Sequence, residues 1–142
     1  MKSKAARSGF TLAELMIVVV IIGILSSIAM VKYADLLRKS NEGNVYGNLG
    51  AMRSALSIYY ADLDGQFPRS LGVLTVSARY IKTFPEIRVP NYHAKTAAVA
   101  EGAVRADTNG WGYNNVSANS NFGALWIDCT HTDSKGSAWT AY

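Results

Sequence analysis

Glu14 is the only ionisable side chain between Phe10 and Val31. The stretch that follows it, Leu15-Met16-Ile17-Val18-Val19-Val20-Ile21-Ile22-Gly23-Ile24-Leu25, carries no polar side chain. About 20 apolar residues cross a bilayer core as a helix, so the segment is long enough to span one. A carboxylate inside such a segment costs several kcal/mol unless it has a partner, and by default it marks function. The nearest partner is a free amine at Phe10, which exists if the chain is cut after Gly9. An ammonium and a carboxylate attract strongly in a dry helical bundle, yet only good geometry offsets the desolvation of both. The pair is therefore better understood as a register device than as a source of stability.

The phrase Gly9-Phe10-Thr11-Leu12-Ala13-Glu14, with Lys2, Lys4 and Arg7 before it and the apolar run behind it, resembles the type IV pilin and type II secretion pseudopilin superfamily of bacteria. The resemblance covers Phe10 to Tyr33. An ordinary single-pass anchor with a chance carboxylate does not require the whole phrase. A secretory signal is cut after its apolar region, whereas Gly9 precedes it. The resemblance implies that a prepilin peptidase cuts between Gly9 and Phe10 and methylates the Phe10 amine. The helix would then hold the subunit in the inner membrane as a single pass until an assembly platform extracts it. In the homo-oligomeric helical filament, Glu14 would meet the Phe10 amine of a neighbour. The first role implied is a major pilin, giving surface filaments for adhesion or motility. The alternative is a major pseudopilin, giving a periplasmic filament for protein export. A DNA-uptake pilin comes third.

Other chemistry is sparse. His93 and His131 lack a Ser or Cys at motif spacing, and there is no Gly-rich phosphate loop or paired-carboxylate signature. No enzyme activity and no resident cofactor are expected. Cys129 and His131 alternate on one strand edge, but two ligands do not make a zinc site. Cys129 is the only cysteine, so the C-terminal disulfide loop of many relatives cannot form. A leftover cysteine in an exported protein offers an intermolecular bridge or a reactive thiol, but its apolar strand context favours a small buried hydrophobe. Without a disulfide the domain relies on packing, and beyond that on neighbouring subunits or a metal. Relatives in type II secretion hold calcium near the C-terminal strands. Asp128 and Asp133 are the weak calcium candidates here, offering oxygens to a hard cation. Against them, Asp133-Ser134-Lys135-Gly136 reads as a hairpin turn, and Lys135 opposes a cation. Asn115-Val116-Ser117 fits a glycosylation acceptor in a surface loop. Tyr33, Tyr46, Tyr59 and Tyr60 are spaced irregularly, which favours packing over electron conduction.

The formal charge of the 142 residues is +4. Three of the 14 basic side chains lie in the leader, which has no acid, so the mature chain holds 11 against 10, or +1. The leader charge keeps the N-terminus cytoplasmic. A near-neutral mature chain gives no basis for a nucleic-acid partner, which needs clustered Lys and Arg.

The elements that must position these residues divide into a leader over 1–9, a membrane or filament-core helix over 10–31, and a globular domain over 32–142. Val45, Leu49, Met52, Leu56, Tyr59 and Leu63 recur at spacings of four and three, one face of a helix. One long helix is thus expected from Phe10 to about Tyr60, the later residues of this domain being its C-terminal half. Major subunits of the family commonly have Pro where Val31 stands, and its absence removes a helix breaker. Gly43, Gly47 and Gly50 weaken the helix by about 1 kcal/mol each relative to Ala, and mark either a kink or close packing between helices. Asp62-Leu63-Asp64-Gly65-Gln66-Phe67-Pro68 ends it. The exit Asp64-Gly65-Gln66-Phe67-Pro68 is similar to that of major pseudopilins, whereas the aromatic-rich C-terminus and the scarcity of calcium-binding acids lean to pilin. Ser70 to Lys82 reads as a short helix or connector, and Ile87–Val89 and Ala103–Ala106 as short strands. Trp111–Asn114, Ala124–Cys129 and Ala138–Tyr142 read as strands of an antiparallel meander. The fold class is α+β, with a small antiparallel sheet on the helix stripe.

Overall fold

The computed structural model describes residues 9–142. The leader expected over 1–9 lies outside the described residues except for Gly9. Residues up to Leu37 and residues Arg38–Tyr142 form two compact units.

Helix α1 runs from Leu12 to Asp62, 51 residues, as the sequence periodicity requires. Every position from Gly9 to Leu37 is exposed. Past that point α1 buries Glu42, Val45, Leu49, Met52, Ala55 and Leu56. Tyr59 packs at the edge of the core, whereas Leu63 lies beyond the helix end and is exposed. α1 is closed by the Gly65 N–H, which donates to the Tyr60 carbonyl at 2.9 Å. Asp64 (φ 50°) and Gly65 (φ 84°) take the left-handed conformation that this cap needs. α1 stays helical without a break through Gly43, Gly47 and Gly50, and a Cβ on any of them would meet nothing within 4 Å. Close packing at these glycines is therefore not made among the described residues.

The connector expected over Ser70–Lys82 is a 3-10 helix, Leu71–Ala78, with non-helical dihedrals at Val76 and Ser77. Ser70 caps it, accepting from the Gly72 N–H. Ile87–Val89 is not a strand; Ile87 makes a single antiparallel bridge to Thr96. Ala103–Ala106 is not a strand either. The strand before the Trp111 segment is instead β1, Val99–Glu101. β2 is Trp111–Tyr113 and β3 is Leu125–Ile127.

The sheet has the order β1-β2-β3, and it is mixed rather than antiparallel. β2 and β3 pair antiparallel, as expected, but β1 runs parallel to β2 with Val99 opposite Trp111. The reason lies in loop 102–110, which carries the chain back so that both strands run the same way. Its return is held by Asp128, whose carboxylate accepts from the Ala106 N–H (2.9 Å), the Thr108 N–H (3.1 Å) and the Thr108 hydroxyl. The last expected strand, Ala138–Tyr142, is a 3-10 turn at Trp139–Ala141 preceded by one bridge between Thr132 and Ala138. Its aromatic side chains pack on α1: Tyr46 stacks on Trp139 at 5.1 Å and meets Tyr142 edge-on at 4.9 Å, centroid to centroid.

Register sorts the strand residues into two faces. Trp111, Tyr113, Leu125 and Ile127 join Met52 and Leu56 in one core cluster, together with Trp139. On the opposite face Gly112 pairs with Trp126. A Cβ at Gly112 would stand 2.2 Å from the Trp126 ring, so only glycine fits there. Of the three tryptophans, Trp111 and Trp139 thus supply the core contact and Trp126 faces away.

Candidate functional site

The candidate site begins where the chain enters α1. Phe10 and Leu12 are 82% and 78% exposed, and the apolar side chains that follow are exposed on every side. Among the described residues α1 is the one helix long and apolar enough to cross a membrane. Such a surface needs either lipid or other helices around it.

Glu14 has a local partner that the sequence signalled through Thr-x-x-Glu but that attention to the Phe10 amine left unread. The Glu14 carboxylate accepts from the Thr11 N–H at 2.9 Å and from the Thr11 hydroxyl at 2.8 Å. In return the Glu14 N–H donates to the Thr11 hydroxyl at 3.2 Å. This is a capping box, with Thr11 as N-cap, and it satisfies two backbone donors that the first turn leaves without partners. The same carboxylate lies one turn from Phe10, so it holds the start of the helix in place and presents a negative charge at its exposed end.

The calcium candidates occupy two different settings. Asp128 is fully buried, and besides the loop donors it accepts from the Trp126 indole at 3.3 Å. Asp133 accepts from the Tyr46 and Tyr142 hydroxyls at 2.5 and 2.7 Å, and from the Lys135 and Ser137 N–H groups at 2.8 and 2.9 Å. Burial raises the pKa of both, but these donors outweigh it and hold both carboxyls below the usual range. Asp128 thereby pins the loop before β2, and Asp133 joins the expected hairpin turn to α1. Glu42, missed by the sequence reading, completes that junction: it takes Arg38 at 3.3 Å, the Ser134 N–H at 3.0 Å and the Ser134 hydroxyl. Tyr46, Tyr59 and Tyr60 pack against aromatic neighbours as expected, and Tyr33 is exposed. Asn115 donates to Glu101 at 3.2 Å from the loop that follows β2.

The two histidines do not stand alone. His93, Asp107, Cys129 and His131 converge with all four ligand-type atoms within 4.8 Å of one another. Cys129 is buried as expected, and burial pushes its thiol up to about 11. The Thr130 N–H, with smaller contributions from the two imidazoles, holds Asp107 below the ordinary carboxyl range.

Residues 4–30 match the prokaryotic N-terminal methylation motif. The chain is 38% identical over 84 residues to the fimbrial protein EcpC of Eikenella corrodens, covering 56% of this chain and 54% of that one. It is 52% identical over 50 residues to the type IV narrow pilus major component PilA5 of Thermus thermophilus, covering 35% and 43%. To the type IV major fimbrial protein FimA of Dichelobacter nodosus it is 44% identical over 59 residues, covering 42% and 38%. The chain thus spans about half the length of these curated relatives, or less. No solved structure matches.

Proposed function

We propose that this chain, a member of the type IV pilin superfamily, is the repeating subunit of a type IV pilus, with a structural rather than a catalytic role. The observation that carries the reading is the first unit: a helix start fixed by Glu14 and Thr11, leading into a shaft that is apolar to Val31 and exposed through Leu37. Its surface matches lipid before assembly and the same segment of other copies afterwards. Contacts repeated from copy to copy without closing give a fibre. The relatives whose names specify a pilus component support a pilus over a secretion pseudopilus. On this reading a prepilin peptidase cuts after Gly9 and methylates the Phe10 amine. The anchored subunit then waits in the inner membrane for the assembly platform.

Deletion of the gene, with imaging of the cell surface, tests the role. Long filaments should vanish and return on complementation. Their persistence, or a loss of protein export with filaments unchanged, would overturn the pilus reading. Intact mass of subunits from sheared filaments tests the processing, with a chain starting at a methylated Phe10 as the expected result. A chain starting at Met1 would sink it.

A further inference from the structure

We propose that His93, Asp107, Cys129 and His131 form a tetrahedral transition-metal site, best matched to zinc. The inference does not depend on the pilus reading. Four residues from three separate stretches of chain bring two imidazoles, one thiol and one carboxylate to a common point. His93 follows a tight turn in which its N–H donates to the Val89 carbonyl at 3.2 Å. Asp107 lies in the loop between β1 and β2, and Cys129 and His131 follow β3.

Three of the six distances between ligand atoms match a tetrahedral site, and the other three are no longer than 4.8 Å. With Zn–N and Zn–O near 2.0–2.2 Å and Zn–S near 2.3 Å, neighbouring ligand atoms stand about 3.3–3.6 Å apart. His93 Nε2 lies 3.2 Å from Asp107 Oδ1, His131 Nδ1 lies 3.5 Å from the same oxygen, and Cys129 Sγ lies 3.4 Å from His131 Nδ1. Three edges therefore already have the right length. The mixed nitrogen, sulfur and oxygen set selects zinc-like cations; calcium takes six to eight oxygens.

The surroundings hold the ligands in place. The Tyr92 ring stacks on His131 at 4.0 Å with planes 17° apart, and Asp107 Oδ1 also accepts from the Thr130 N–H at 2.9 Å. Access is present, since the side chains of His131 and Asp107 are 36% and 31% exposed while His93 is 18% exposed. Binding would displace the Cys129 proton to solvent and leave the thiolate on the metal. It would tie the turn before His93, the loop before β2 and the segment after β3 into one crosslink. A chain with a single cysteine cannot gain such a crosslink from a disulfide within itself.

The test uses the full chain, purified in detergent without a histidine tag. Titration with Co²⁺ should reach one equivalent, with tetrahedral ligand-field absorption and a thiolate-to-cobalt charge-transfer band, both abolished by added Zn²⁺. At a hundredfold excess over its dissociation constant, Zn²⁺ should raise the melting temperature by about 10 °C, while Ca²⁺ should leave it unchanged. Cys129→Ser should remove the charge-transfer band, and His93→Gln should weaken Co²⁺ binding at least tenfold. If Cys129→Ser fails to fold, the native titration and His93→Gln still decide. Absence of uptake by the native chain, an octahedral spectrum without the charge-transfer band, or unaltered binding in His93→Gln would overturn the site.

Discussion

Glu14 caps the first turn of α1, and under the proposed function its charge also meets the Phe10 amine of a neighbour; a single alanine variant cannot separate the two. Alanine removes both the charge and the return bond to the Thr11 N–H. Glutamine keeps the bond, since either residue completes a capping box, but lacks the charge. Glu14→Gln is therefore expected to insert in the membrane normally and to fail in filament assembly as fully as Glu14→Ala. Wild-type filament yield from the glutamine variant would show that the cap, not the charge, is what assembly needs. Tyr113 makes the second residue-scale case. Its hydroxyl donates to the Pro68 carbonyl at 2.6 Å, and burial, then the Glu101 charge and Tyr59, hold its pKa above the ordinary value. A raised folded-state pKa contributes stability that is fully present below the unfolded value, about 10, and is lost as pH rises through the folded value. Tyr113→Phe leaves that carbonyl without its donor, at a cost of about 1–3 kcal/mol near neutrality. Melting scans should also show a smaller loss of stability above pH 10 in the variant than in the parent. An equal alkaline loss in both would dismiss Tyr113 as its source. The Thr11–Glu14 box was legible at a spacing of three. The metal-ligand cluster was not, because no local pattern links His93 and Asp107 to Cys129 and His131.

At the scale of elements, α1, β2 and β3 were readable because their patterns are local. The stripe from Val45 to Tyr59 repeats at helical spacing, and Trp111-Gly112-Tyr113 alternates large and small across a pleat. β1 was hidden because Val99-Ala100-Glu101 lies in an alanine-rich stretch with weak strand preference; it is a strand only through its pairing with β2. The Trp139 turn was misread for the complementary reason. Its aromatics suit a strand, but stacking on Tyr46 and hydrogen bonds from the Thr140 N–H to Cys129 and the Trp139 N–H to His131 draw it into a tighter turn. The helix stripe and the inner sheet face share one core, so Leu56→Ala is expected to cost about 2–5 kcal/mol. Thermal melting of the full chain in detergent checks it. A melting point within a degree of the parent would mean that this face of α1 does not carry the domain.

For the whole molecule, the missing Pro at Val31 has a consequence in the proposed fibre. α1 is unbroken through Gly23–Tyr33, and no residue there lacks a backbone donor. The expected outcome is a filament map with continuous helical density across that stretch; extended backbone there would mean that packing between copies melts it. The unit from Arg38 onward also has a characteristic order of folding. Ser134 meets Glu42 across 92 positions, Arg53 meets Tyr142 across 89, and Tyr46 meets Asp133 across 87. Closing loops of that length lowers chain entropy before any contact compensates, and it slows folding. During synthesis the α1 stripe leaves the ribosome well ahead of Trp111, Ile127 and Trp139, and at ordinary elongation rates it waits on the order of 5–20 s for the last of them. The apolar segment is therefore free to enter the membrane while its own domain is still unfolded, and that domain completes its fold only once Trp139 has joined it.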